Sequence, residues 1–218
     1  MPAAKSNSAL RCTTDAQAGR LLLFVRHGHT AWMQEGRYQG RSDTPLSEAG
    51  HEEARRLAKR LDGENLAAIY TSPLRRAHET ARHIARFHPH TPFATDERLT
   101  EIGFGDWEGR TQADIRATTP EALRRWKRDP GGMRFPGGET LAEAQNRLHE
   151  FLSALPPDGG PALVVTHAGM IRLARLAAED REIAAFRTIA VPTAGVTRLI
   201  LAGTTVLRPA GIISEFVE

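Results

Sequence analysis

The chain is 218 residues long, 40% apolar and 25% charged, which describes an ordinary globular domain with room for a sizeable core and excludes a disordered or fibrous protein. Its formal charge of +3 and pI near 9.5, carried far more by arginine than by lysine, favour anionic small molecules as partners. With no basic run interleaved with aromatics, the charge pattern gives no support to nucleic-acid binding.

Residues 1–20 read as a flexible tail ahead of a single domain spanning 21–218. They lack the apolar core, roughly 7–15 residues long, of a secretory signal. Nowhere does the chain reach the roughly 18 consecutive apolar residues of a membrane span, so no membrane association is expected. Cys12 is the only cysteine; it can form no internal disulfide and has no ligand cluster at zinc spacing. A reducing, cytoplasmic setting is the expectation.

Leu21-Leu22-Leu23-Phe24-Val25 ends abruptly in Arg26-His27-Gly28-His29-Thr30. Five apolar residues running into a polar, glycine-containing turn suggest a buried parallel strand that delivers its last residues to the crevice at a sheet's carboxyl edge. There the planar fork of Arg26 suits a phosphate, and the imidazole of His27 can act as nucleophile or proton carrier. Taken as a pair alone, the two residues are more often a surface turn than an active site. Residues 31–45 are rich in turn formers and irregular, so a loop over the site is expected there.

Ser47 is the expected N-cap of a scaffold helix with Ala54, Leu57, Ala58 and Leu61 on one face, stopped at Asp62-Gly63. A short strand, Leu66 to Tyr70, leads into a helix with Ser72 as N-cap, Pro73 in its first position and an apolar stripe of Leu74, Ala77, Ala81, Ile84 and Ala85. Such a helix points its amide end at the sheet's carboxyl edge. Arg75 lies in its first turn, set against the helix dipole, and reads either as a surface arginine or as one placed there for an anion. After a weaker strand near 91–94 comes a stretch, Glu101 to Gly109, in which glycines alternate with aromatics. Its carboxylates Glu101, Asp106 and Glu108 are acid–base candidates among which spacing does not choose.

Two short helices, opened by Thr111 with Asp114 and by Thr119-Pro120, run into a glycine-rich stretch ending at Gly138, and residues 104–138 read as a lid-like insertion that covers the site. Thr140 and Glu143 form a capping box for a helix that faces Leu141, Ala144, Leu148, Phe151 and Leu152 inward. Ala162-Leu163-Val164-Val165-Thr166-His167 then repeats the opening design, with a helix from Met170. Two strands of one sheet that both end in histidine place both imidazoles at one edge. Val196 to Leu201 and Thr204 to Leu207 read as a closing hairpin. Strands alternating with helices imply a three-layer α/β/α sandwich on a mostly parallel sheet.

Several motifs, in order from about Leu21 to about Ile200, resemble those of the histidine phosphatase, or phosphoglycerate mutase-like, superfamily. Arg26-His27-Gly28 resembles its nucleophile motif, and Gly36-Arg37-Tyr38-Gln39-Gly40 with Thr44-Pro45-Leu46-Ser47 the stretch that follows it. Thr71-Ser72-Pro73-Leu74-Arg75-Arg76-Ala77 is similar to the motif supplying a second phosphate-binding arginine, assigned here to Arg75. Glu101 with Phe104-Gly105 and Trp107-Glu108-Gly109 resembles the acid–base segment, Pro136-Gly137-Gly138-Glu139 the lead into a helix, and Thr166-His167-Ala168-Gly169 the second histidine motif.

The resemblance implies a phosphoglycerate mutase-like fold and a metal-independent, cofactor-free reaction. His27 attacks phosphorus and becomes a phosphohistidine, Arg26, Arg75 and His167 surround the phosphoryl oxygens, and Glu101 serves as acid and then base. Met33 stands where relatives commonly carry Asn, and His29 where Glu is frequent, so the resemblance leaves Thr30, Gln39 or the amide of Gly40 to complete the phosphate pocket. Between Glu101 and His167 the chain is shorter than a mutase resemblance implies and looks like the small phosphatases, the α-ribazole phosphatase type among them. It therefore implies a phosphomonoesterase acting on a small phosphorylated metabolite, with mutase-type phosphoryl transfer as the alternative. A non-catalytic phospholigand-binding module is a third reading, favoured by Met33 and opposed by intact His27, Glu101 and His167. The substrate and the oligomeric state stay open, a homodimer included.

Overall fold

The computed structural model describes residues 19–156, 159–203 and 205–215. Cys12 and the rest of the expected tail up to residue 18, together with Thr204, the expected start of the last strand, lie outside the described residues. Arg20, assigned to the tail from the sequence, is instead the first residue of β1 (Arg20–Arg26). Its buried guanidinium donates to the carbonyl of Gly160 (2.9 Å).

The other strands are β2 (Ala68–Thr71), β3 (Phe93–Thr95), β4 (Ala162–Thr166), β5 (Val196–Ala202) and β6 (Val206–Glu215). They form one sheet in the order β3-β2-β4-β1-β5-β6. The first four strands of that order run parallel, and the closing hairpin adds β5 antiparallel beside β1 and β6 antiparallel beside β5.

Side chains alternate across a strand, and both faces of this sheet are covered, which is why its strands read as continuous apolar runs. Leu22, Phe24, Ala162, Val164, Leu199 and Leu201 face one core with α6 (Leu141–Ser153) and α7 (Ala168–Ala178). Leu23, Val25, Leu163, Val165 and Val196 face the other, closed by α2 (Glu48–Leu61) and α3 (Arg75–Ala85). The result is the expected three-layer α/β/α sandwich. Trp107, Ile115, Leu123, Trp126, Met133 and Phe135 are buried in the first of these cores, so residues 104–138 share the main core.

Most helix starts follow from their caps. Ser47 accepts from Gly50 N (3.1 Å) to open α2. Reciprocal capping boxes at Thr111/Asp114 and Thr140/Glu143 open α4 (Gln112–Thr118) and α6, and Pro120 opens α5 (Pro120–Arg128). Three helix expectations shift. The stretch read as loop contains one helical turn, α1 (Ala31–Gln34), because Thr30 caps it. Helix α3 starts at Arg75 with Leu74 as N-cap, since Ser72 is engaged elsewhere, and α7 starts at Ala168 rather than Met170, with His167 as its N-cap.

Candidate active site

Strand register levels the carboxyl ends of β1, β4 and β2. Arg26 pairs with Thr166 and Thr71 with Val165, while His27 N donates to Thr166 O (3.1 Å) and Ser72 N to Val165 O (3.0 Å). His27 and His167 therefore leave the sheet side by side, their ring centroids 5.2 Å apart, and are 2% and 0% exposed. Nδ1 of His27 lies 2.7 Å from the carbonyl oxygen of Gly28. A carbonyl only accepts, so Nδ1 carries the proton and Nε2 presents its lone pair. Burial first, then the charges of Arg76 and Arg26, holds the His27 pKa well below its ordinary value. The ring is neutral at neutral pH, the state a nucleophile needs.

Nε2 of His167 is 2.8 Å from Ser72 Oγ, which already accepts from Leu74 N (3.3 Å). Among the described residues Nε2 is the one acceptor within reach of the Ser72 hydroxyl proton, so that proton goes to Nε2 and the imidazole N–H sits on Nδ1, an atom buried without a partner among the described residues. Burial, followed by the charge of Arg76, also pushes the His167 pKa well down.

The sequence expectation for the second arginine is corrected. Arg75 is exposed, pairs with Glu79 (3.4 Å), gives its main-chain N–H to Asp43 (2.7 Å), and does not line the cleft. Arg76 is fully buried and lines the cleft with His27. Helical phase is the reason: at about 100° per residue, Arg75 falls about 160° round the helix from Ala77 at the centre of the buried stripe, whereas Arg76 falls on its flank. Arg76 donates to Ser42 O and Gly40 O (2.7 Å each). Arg26 donates to Val191 O (2.5 Å), and its other terminal nitrogen lies 3.6 Å from Met33 Sδ. Burial draws both guanidiniums down to about 10, still cationic at neutral pH, and the Nε of each is buried without a partner among the described residues. Two cations and an imidazole with unmatched donors, grouped around a neutral nucleophile, form a site for an oxyanion.

Of the three carboxylates, only Glu101 lines this cleft. It is 8% exposed, and its oxygens accept from its neighbour Ile102 N (3.0 Å) and from Gly169 N in the first turn of α7 (3.2 Å). Glu108 accepts from Arg41 N, Phe104 N and Ser42 Oγ, which makes it a brace for two loops, and Asp106 is exposed. Arg147 on α6 fixes the backbone beneath Glu101, donating to the carbonyls of Arg98 (2.6 Å), Thr100 (3.1 Å) and Glu101 (3.3 Å), and is itself held by Glu139 (2.8 Å).

The loop candidates divide. Gln39 and Gly40 line the cleft, as does Met33. Thr30 is buried but does not line it. Its hydroxyl donates to Gln39 Oε1 (2.9 Å), which also accepts from Thr44 (2.6 Å). Thr30 thus holds the carbonyl end of Gln39, and the donors of its amide NH2 have no protein acceptor among the described residues.

The cleft has a volume of about 430 Å³. Its outer wall contains residues that the sequence reading did not single out: Tyr38, Gln112, Trp126, Arg172, Phe186 and Arg187. They come from five separate segments, and the one local signal was an arginine, Arg172, inside the otherwise apolar start of α7. Among the described residues, no three His, Cys, Asp or Glu side chains group so as to hold a metal ion, and no helix is long and apolar enough to cross a membrane.

The family described as "Histidine phosphatase superfamily (branch 1)" matches residues 22–207. The chain is 40% identical to phosphoserine phosphatase 1 of Hydrogenobacter thermophilus over 60% of its own length and 62% of that protein, so it spans about three fifths of that relative. It is 36% identical to the 2,3-bisphosphoglycerate-dependent phosphoglycerate mutase 2 of Gloeobacter violaceus, over 70% of this chain and 72% of the mutase. Among solved structures, the α-ribazole phosphatase from Shigella flexneri superposes with a TM-score of 0.76 at 25% identity, covering 88% of this chain and 98% of that one.

Proposed function

Because the chain belongs to the histidine phosphatase superfamily, and its relatives are phosphatases and phosphoglycerate mutases, we propose that it is a phosphatase that hydrolyses small phosphomonoesters through a phosphohistidine on His27. The observation that carries this reading is the state of His27: neutral, protonated on Nδ1 by the bond to Gly28, flanked in the cleft wall by Arg26 and Arg76, and 5.2 Å between ring centroids from His167, which is fully buried and does not itself line the cleft. Nε2 attacks phosphorus in line as the ester P–O bond breaks, and Glu101 gives the leaving oxygen its proton. Arg26, Arg76 and Nδ1–H of His167 stabilise the charge on the equatorial oxygens. Water, deprotonated by Glu101, then attacks phosphorus, releasing inorganic phosphate and restoring His27.

A mutase would pass the same phosphoryl group to a second hydroxyl instead of water. We favour water because the segment between Glu101 and His167 resembles that of the small phosphatases more than that of a mutase. Phosphate release, measured beside interconversion of phosphoglycerates, separates the two.

The test of the mechanism changes the leaving group. An alkoxide needs a proton as it leaves, whereas p-nitrophenolate does not. Glu101→Gln should slow alkyl phosphate turnover by about 100-fold or more. With p-nitrophenyl phosphate the same variant should give a burst of p-nitrophenol and then slow turnover as phosphohistidine accumulates. Equal losses on both substrates with no burst would remove Glu101 from the acid role.

A further inference from the structure

The cleft carries more positive charge than one phosphoryl group occupies. Beyond Arg26 and Arg76, it is lined by Arg172 and Arg187, and among the described residues Glu101 is the only carboxylate in its wall. Arg37 also lines it but is matched by Glu35. Arg172, on α7, donates from Nε to Ile189 O (2.9 Å) and lies against the Phe186 ring at 5.5 Å. Arg187 donates to Lys127 O (3.3 Å) and lies over Trp126 at 6.0 Å. The Trp126 and Phe186 rings are 5.8 Å apart, so guanidinium, ring, ring and guanidinium follow one another along one wall.

Neither of these arginines forms an ion pair with a carboxylate among the described residues. Aromatic faces and single carbonyls position a guanidinium without neutralising it, and they leave most of its forked donors for a ligand. Arg172 is partly buried, and its pKa is lowered chiefly by that burial. A cation partly withdrawn from water with no carboxylate in contact is a cost to the fold that an incoming anion offsets. The same residue interacts electrostatically with Glu101 and Arg26 on the phosphoryl side and with Arg187 on the other.

We propose that Arg172 and Arg187 form a second anion subsite, so that the preferred ligand is a compact phosphomonoester bearing a further carboxylate or phosphate, with its carbon chain against Trp126 and Phe186. The proposal rests on the phosphatase reading only in taking the ligand's first group to be a phosphate ester.

Binding of phosphonates, which are not hydrolysed, tests the subsite apart from turnover. Calorimetric titration of the wild-type protein compares propylphosphonate with 3-phosphonopropionate and propane-1,3-bisphosphonate. At least one of the two doubly anionic compounds should bind about tenfold tighter or more than propylphosphonate, the better one identifying the second group as carboxylate or phosphate. Arg172→Gln and Arg187→Met should each remove most of that advantage while propylphosphonate shifts far less. Arg187 is exposed, so its variant reports even if Arg172→Gln does not fold. Equal binding of all three compounds by the wild type, or an advantage that survives in Arg187→Met, overturns the proposal. Loss of hydrolysis with this binding pattern intact would count against the phosphatase reading alone.

Discussion

At the scale of single residues, the site depends on which atom of each side chain is already committed. His27 commits Nδ1 to Gly28, Ser72 accepts from Leu74 and commits its proton to His167, and Thr30 commits its proton to Gln39. What remains unmatched is a lone pair on His27 and a set of donors around it. The adjacent arginines Arg75 and Arg76 allow a sharp test, since they have the same chemistry and opposite surroundings. Arg76→Ala should lower kcat/KM for p-nitrophenyl phosphate by about 100-fold or more, the usual loss for one preorganised oxyanion donor. Arg75→Ala removes an exposed pair of the kind worth about 0–1 kcal/mol and should leave kcat/KM within about twofold. Steady-state kinetics on the two variants decides it, and the reverse order of losses would return the role to Arg75.

At the scale of elements, the first turn of α7 brings three functions together. His167 is its N-cap, Gly169 N holds Glu101, and Arg172 follows one turn later. Gly169 has no side chain for a steric reason: a Cβ there would fall on Glu101 Oε1 and lie 2.6 Å from Ile102 Cδ1. Gly169→Ala should therefore displace the Glu101 carboxylate while α7, whose helix propensity the change improves, stays formed. The expected outcome is a loss of at least about tenfold in kcat for alkyl phosphates, with a much smaller loss in the p-nitrophenol burst. A uniform loss in both would show that the substitution damages the pocket generally.

At the scale of the whole molecule, burying two imidazoles among arginines couples the site to stability. His27 and His167 both titrate well below the ordinary histidine value of 6.5 in the native state, mainly because burial disfavours their charged forms. On acidification the unfolded chain binds two protons near pH 6.5 that the native protein does not bind. Stability contributed by these groups is thus complete above about pH 6.5 and is lost as pH falls toward the lower native values. Each group contributes a slope of about 1.4 kcal/mol per pH unit, roughly 2.7 for the pair. His83, lowered chiefly by its own burial, adds to the same limb. Urea unfolding at pH 7.5 and 5.5 should show this fall, and His27→Gln should remove about half of the pair's share. A flat profile would mean that the native state accepts these protons without penalty.

The features legible in the sequence are those encoded within a few residues. The alternation that splits Leu22 and Phe24 from Leu23 and Val25, the caps at Ser47, Thr111 and Thr140, and the two strands that lead to His27 and His167 needed no distant partner to be read, because periodicity and capping are local chemistry. Only the tertiary structure decided between Arg75 and Arg76, since that depends on how α3 is rotated against the sheet. It also separated Glu101 from Asp106 and Glu108, because what distinguishes Glu101 is an amide 68 positions away in α7. The same holds for Thr30, whose hydroxyl is taken by Gln39, and for the wall of Arg172, Phe186, Trp126 and Arg187. Those four residues become neighbours only when α5, α7 and the turn after α7 close over one core, and no local spacing encodes that meeting.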